Sequence, residues 1–127
     1  MGSIDAWWAR LRTSVPHDVR GLWFGITDLE VNGGPGTHLY VAGCPSFDAN
    51  DETAKWATEY VWWPDDRYFG LATAGVATEG HYTDVLDEVV ALVKGLGPWD
   101  DVGIDGVAVG YDDGDFRLIW TVEARSS

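Results

Sequence analysis

The sequence predicts an α+β fold with a mainly antiparallel sheet, on three observations. Residues 4–13 and 84–94 carry apolar side chains at helical spacing, each behind a residue that caps helices well. Residues 20–31, 37–43, 107–111 and 116–120 are rich in β-branched and aromatic residues and are joined in pairs by clusters of turn formers. A chain of 127 residues, 46% apolar, suits one core rather than two, so a single domain is expected over 1–127. The expected order is α-β-β-(β)-α-β-β, the bracketed strand lying in an irregular aromatic segment.

Ser3 stands where a helix cap belongs, and Ile4, Trp7, Trp8 and Leu11 follow at i, i+3, i+4, i+7. Arg10 and Arg12 favour the C-terminal end of that helix, and Pro16 bars its continuation. The runs RGLWFGITDLEV and THLYVAG flank VNGGPG and read as a hairpin. GGPG lacks the lysine and following helix of a phosphate loop. After Cys44 and Pro45 comes a polar stretch in which Asp51 can cap a short helix through Trp56.

The segment EYVWWPDDRYFG, residues 59–70, packs five aromatic residues around one proline. Extended backbone over Glu59 to Trp63 points Tyr60 and Trp62 one way and Val61 and Trp63 the other, so both faces are apolar. Pro64, Asp65 and Asp66 suit a turn, and the chain returns through Arg67, Tyr68 and Phe69. An antiparallel sheet with its helices on one side leaves the other face wet, so some of these rings are expected at the surface.

Thr83 is the expected cap of the second helix, whose broad apolar face includes Val85, Leu86, Val89, Val90, Leu92 and Val93. Gly95 can end it, and Gly97-Pro98 breaks the chain. The runs Val107 to Tyr111 and Phe116 to Trp120 surround Asp-Asp-Gly-Asp as a terminal hairpin. Val107, Val109 and Tyr111 should share one face, and Phe116, Leu118 and Trp120 another. The tip carries Asp112, Asp113 and Asp115.

Charge narrows the partners. The net charge is −13, with −1 over residues 1–44, −5 over 45–80 and −7 over 81–127. Such a field argues against nucleic acid and anionic lipid, which need basic surface, and attracts a basic protein. A lone Cys44, no secretory apolar run and no run of 18 apolar residues lead to a cytoplasmic expectation without a membrane segment. Two Lys against six Arg suit a GC-rich bacterial genome.

Motifs for chemistry are thin. Asp101, Asp105, Gly106 and Asp112 fall at positions 1, 5, 6 and 12 of a calcium loop, but position 3 is Gly103 and residues 107–111 read as strand. Cys44, Ser46, His17, His38 and His81 are the nucleophile and base candidates, with no nucleophile elbow and no zinc spacing around them. Asp65 with Asp112 is a conceivable carboxylate pair for glycoside hydrolysis. No catalytic residue, metal or cofactor is therefore expected.

The succession of hairpin, FDANDETAKWA, WWPDDRYF, helix and VAVGYDDGDF resembles small acidic bacterial proteins, some of them immunity proteins encoded beside polymorphic toxins. The resemblance covers residues 22–120 and implies a stoichiometric inhibitor of a toxin, without transferring any catalytic residue. A toxin that acts on nucleic acid has a basic cleft, which an acidic inhibitor enters quickly while aromatic anchors hold it. The expected partner is thus a basic toxin domain, met by Trp62, Trp63, Asp65, Asp66, Tyr68, Asp112, Asp113 and Asp115. A small enzyme or ligand-binding domain with an aromatic pocket is the alternative.

Overall fold

Helix α1, Ile4–Arg12, begins as its sequence dictates: the Ser3 side chain accepts a hydrogen bond from the Ala6 N–H at 3.1 Å. A computed structural model describes residues 3–31, 34–71, 82–111 and 115–122. Ile4, Trp7, Trp8 and Leu11 are all buried, so the i, i+3, i+4, i+7 stripe is the face that packs. The five strands are β1, Gly21–Val31; β2, Gly34–Cys44; β3, Tyr68–Gly70; β4, Gly106–Tyr111; and β5, Phe116–Thr121. Helix α2, Tyr82–Lys94, lies between β3 and β4 in the chain.

The sheet order is β3-β2-β1-β4-β5. All neighbours run antiparallel except β1 and β4, which pair in parallel from Gly21 opposite Gly106 to Ile26 opposite Tyr111. The arrangement is the expected α+β domain with a mainly antiparallel sheet. A parallel pair needs a crossover long enough to return to the same end of the sheet, and the chain that contains α2 provides it. Strand β2 starts at Gly34 rather than at residue 37, with Val31 opposite Gly34, so GPG belongs to the ladder and not to the turn.

Both helices cover one face of the sheet. Leu22, Phe24 and Ile26 of β1, Leu39 and Val41 of β2, and Val107 and Val109 of β4 alternate onto that face. They meet Trp7, Trp8 and Leu11 of α1 and Val85, Leu86, Val89 and Val93 of α2. Trp8, Phe24 and Trp99 form a ring cluster, with centroids 5.5 Å apart for Trp8 and Phe24 and 5.5 Å for Trp8 and Trp99. Helix α2 starts at Tyr82, so Thr83 lies inside its first turn instead of capping it, a shift of two residues within the usual uncertainty of helix ends.

Strand β5 departs from simple alternation. Val107 pairs with Trp120 but Ala108 pairs with Leu118, a bulge that leaves Ile119 extra. Phe116, Leu118 and Trp120 therefore do not share one face. The bulge lets Ile119 and Trp120 both pack against the helix-side core, which consecutive residues of a regular strand cannot do. Phe116 stays on the opposite face, packed near Trp23, and Leu118 is exposed.

The second face is not left wet, as helices on one side alone had suggested. Residues 45–58 cross it, and Trp23, Tyr40, Ala42, Cys44, Trp56 and Ala108 form a second buried cluster. The strands make room by omitting side chains. A Cβ at Gly21 would lie 2.8 Å from the Trp56 ring, one at Gly106 2.1 Å from the Phe47 ring, and one at Gly25 2.2 Å from the Tyr40 ring. Tyr40 is buried with its hydroxyl held by the Trp23 indole N–H, whereas Phe47 is half-buried and packs through its ring alone, so Tyr40 is the harder of the two to displace. Gly25→Ala should accordingly destabilise by about 1–3 kcal/mol, the usual range for overpacking, and Gly106→Ala by less. Urea unfolding of the two variants checks the order.

Candidate binding surface

The second face is closed over the end of β1 near Gly21 and open over the middle of the sheet, where a cavity of about 540 Å³ lies. Trp23 and Tyr40 form its floor, held together by a hydrogen bond from the Trp23 indole N–H to the Tyr40 hydroxyl at 3.1 Å. Tyr40 lies on Gly25, its cross-strand partner, where a Cβ would meet its ring. Tyr111 and Phe116 close one end.

One wall comes from the covering segment, through Thr53, Ala54, Ala57 and Thr58. Asp51 organises this wall. Its carboxylate accepts from the Thr53 hydroxyl at 2.7 Å, the Thr53 N–H at 3.0 Å and the Lys55 N–H at 2.9 Å. The Thr53 side-chain bond, then the two backbone N–H bonds, hold the Asp51 carboxyl below its ordinary value. Any stabilisation it gives is present above the carboxylate range and is lost as pH falls through it. The helix expected from Asp51 through Trp56 is a short 3-10 turn over Lys55–Thr58 instead. It starts late because Ala54 takes left-handed backbone angles, φ 51° and ψ 42°, which breaks the run.

The other wall is the aromatic segment. The Val61 and Trp62 N–H groups both donate to the Gly43 carbonyl, at 2.8 and 3.2 Å, and the Gly43 N–H donates to the Trp62 carbonyl at 2.9 Å. Two donors on one acceptor kink the chain, so strict alternation holds only across this bridge. Trp62 turns into the helix-side core and is 8% exposed; Trp63 turns to the groove and is 43% exposed. Tyr60, which uniform extension would have put opposite Trp63, stacks on it instead, with centroids 5.1 Å apart at 14°. Trp62 is a core residue, and Trp63 is the ring of the pair that a partner can reach.

Beyond Trp63 the stacking continues. The Arg67 guanidinium lies 4.2 Å from the Trp63 centroid and 4.8 Å from that of Tyr68, and it donates to the Pro64 carbonyl at 2.9 Å. Tyr60, Trp63, Arg67 and Tyr68 thus form a continuous ladder, Tyr60 being 41% and Tyr68 36% exposed. The helix-side core fixes its position: the Trp7 indole N–H donates to the Asp66 carbonyl at 2.7 Å, and the Val41 N–H donates to the Arg67 carbonyl at 3.1 Å. Asp65 and Asp66 are exposed in the turn between.

The structure brings Trp63, Asp65, Asp66 and Tyr68 together, as the sequence suggested, and puts Asp115 beside Phe116 at the groove's end. Asp112 and Asp113 lie outside the described residues, as does His81. Tyr40, Tyr60 and Arg67 were missed. Parity argued against Tyr60, Tyr40 looked like an ordinary strand residue, and an arginine between two rings is visible only when the turn has folded.

The remaining chemical candidates have other employment. Asp101 pairs with Arg12, and Asp105 lies 3.9 Å from Arg20, while Gly106 to Tyr111 is strand β4, so the acids at positions 1 and 5 of the calcium loop face arginines. Among the described residues no group of three His, Cys, Asp or Glu could hold a metal. No helix there is long and apolar enough to cross a membrane. His17 and Ser46 are exposed, and His38 stands edge-on to Tyr68 with centroids 6.4 Å apart. Neither family models, curated proteins nor solved structures give a match to the chain.

Cys44 is sealed inside the second cluster, and burial pushes its thiol from 9.0 up to about 12. It is a small apolar group rather than a nucleophile. Because the folded value lies above the unfolded one, its contribution to stability is complete below pH 9.0 and is lost as pH rises toward about 12. Native protein at pH 8 should resist a thiol reagent that labels the urea-unfolded chain at once, and Cys44→Ala should lessen the alkaline loss of stability.

The two adjacent tryptophans give a sharper contrast. Trp62→Ala should cost about 3–5 kcal/mol of folding stability, as truncating a buried aromatic does. Trp63→Ala should cost no more than about 1 kcal/mol, the scale of an exposed cation-π contact. Parallel urea unfolding curves followed by circular dichroism check both.

Proposed function

We propose that this chain is a cytoplasmic bacterial protein of the immunity or antitoxin type, which neutralises a basic, nucleic-acid-acting toxin domain by binding it stoichiometrically. The observation that carries the reading is the preformed ladder of Tyr60, Trp63, Arg67 and Tyr68. Trp, Tyr and Arg are the residue types that dominate binding energy at protein interfaces. Rings already stacked on one another lose little side-chain freedom when a partner arrives, so more of the contact energy appears as affinity.

The charge supplies the other half. A protein at −13 speeds its own encounter with a basic surface, and the field is strongest to a partner that approaches at low salt. Asp65, Asp66 and Asp115 would meet that surface at the rim, while the uncharged groove between them takes the buried centre of the contact. The division of labour is the usual one, in which charges set the association rate and aromatics set the dissociation rate.

A second reading, a ligand-binding domain or small enzyme, rests on the cavity itself. Its volume of about 540 Å³ is within the range of small-molecule sites. A ligand of that kind would occupy the same groove without need of the acidic field.

Co-expression with the product of the adjacent gene separates the two. Growth should be restored by this protein when that product is toxic. Replacing Tyr60 and Trp63 together by Ala should weaken binding by about 2 kcal/mol or more while the fold persists. Reversing Asp65, Asp66 and Asp115 to Lys should instead slow association, as should added salt for the parent protein. No protection, with a normally folded protein present, would sink the immunity reading.

A further inference from the structure

The chemistry of the groove identifies what a partner places in it. Among the described lining residues seven are aromatic and none is Asp, Glu, Lys or Arg. Around it the balance reverses. Glu52, Glu59, Asp65, Asp66 and Asp115 are exposed, each within two positions along the chain of a lining residue. Against these five stand Lys55 and Arg67 within the same reach, since Asp28 and Arg117 alternate onto the other face of the sheet. An aromatic interior inside an acidic rim selects cations, because ring faces carry partial negative charge and the rim raises the local cation concentration.

The molecule contains its own example. Arg67 lies over both Trp63 and Tyr68 at cation-π distance, so these rings already hold a guanidinium at the geometry the fold gives them. It also donates to the Pro64 carbonyl, so it lies between these two rings and outside the groove lining. Thr27, Thr53 and Thr58 place polar side chains on the groove lining, which suits a charged head better than an aliphatic one. The opposite assignment, Arg67 as receptor for an incoming carboxylate, has the five rim acids against it.

We infer that the groove bounded by Trp23, Tyr40, Tyr60 and Trp63 receives an arginine side chain from the protein partner. The proposal rests on the reading of this face as a docking surface and adds which residue of the partner fills its centre. A planar guanidinium can stack on a ring face and bond sideways at once, which an ammonium cannot; Trp63, between Tyr60 and Arg67 in the ladder, supports the site rather than offering it a face. The inserted group adds its positive charge where the acidic rim faces it and gives up water for ring faces.

Short blocked peptides test this on the isolated protein. Acetyl-Gly-Arg-Gly-amide, its citrulline analogue and its glutamate analogue are titrated while the tryptophan indole N–H resonances are followed by NMR. The arginine peptide should bind at least about 5-fold tighter than the neutral citrulline isostere. The Trp23 and Trp63 signals should move, and Tyr60→Ala and Trp63→Ala should reduce binding while melting curves stay near the parent's. Equal binding of arginine and citrulline peptides, a preference for glutamate, or no saturable binding at all would each overturn the proposal. Protection in co-expression together with no arginine preference would refute this inference alone. Arginine preference without protection would refute the immunity reading and leave the cation site standing.

Discussion

Rings laid directly on backbone that lacks a Cβ are the constraint from which the rest of this structure follows. One face of the sheet is filled in the ordinary way, by helices whose apolar stripes meet alternating strand residues. Among the described residues no α-helix covers the other face. It is closed because Gly21, Gly25 and Gly106 let Trp56, Tyr40 and Phe47 approach the strands more closely than any side chain would allow. Glycine inside a strand ordinarily weakens it, through chain entropy and absent packing. Here the large apolar area of the rings offsets that loss, and what results is thin and flat enough to leave a groove.

The groove is rigid because it is tied to the core on both sides of the sheet. Gly43 serves both: its backbone holds Trp62, and a Cβ there would collide with Val19 and Trp62. The Trp7 indole spans from α1 to the Asp66 carbonyl and so fixes the turn that carries Trp63 and Arg67. A ladder of exposed rings would otherwise collapse or wander. Being built on a bridge to β2 and a bond from α1, it keeps its shape without a partner, which is the property an interface needs if binding is to be tight.

Acidity and aromaticity have separate places. Arg12, the last residue of α1, pairs with Asp101, and Arg20, just before β1, lies near Asp105. Exposed acids around the groove have no such match in number. Exposed acids also stand on α2, at Asp84, Asp87 and Glu88, so acidic charge lies on both sides of the sheet, the groove side included.

Local pattern determined a good part of this protein. Ser3 with the stripe from Ile4 to Leu11, the apolar face of α2, both hairpins and the turn at Pro64 are written in spacings of a few residues, so the α+β class and element order were legible before any contact was known. That Trp62 and Trp63 oppose one another was legible too. Which of them is buried was not, because a period of two assigns opposite faces without saying which face is covered. Only the tertiary structure decides that, through residues distant in the chain: the Gly43 bridge, the crossing of residues 45–58 over the second face, and the bulge at Ile119 that carries Trp120 to the helix side. The Tyr60–Trp63–Arg67–Tyr68 ladder belongs to the same class, since a kinked backbone overrides alternation and brings together side chains that local periodicity had set apart.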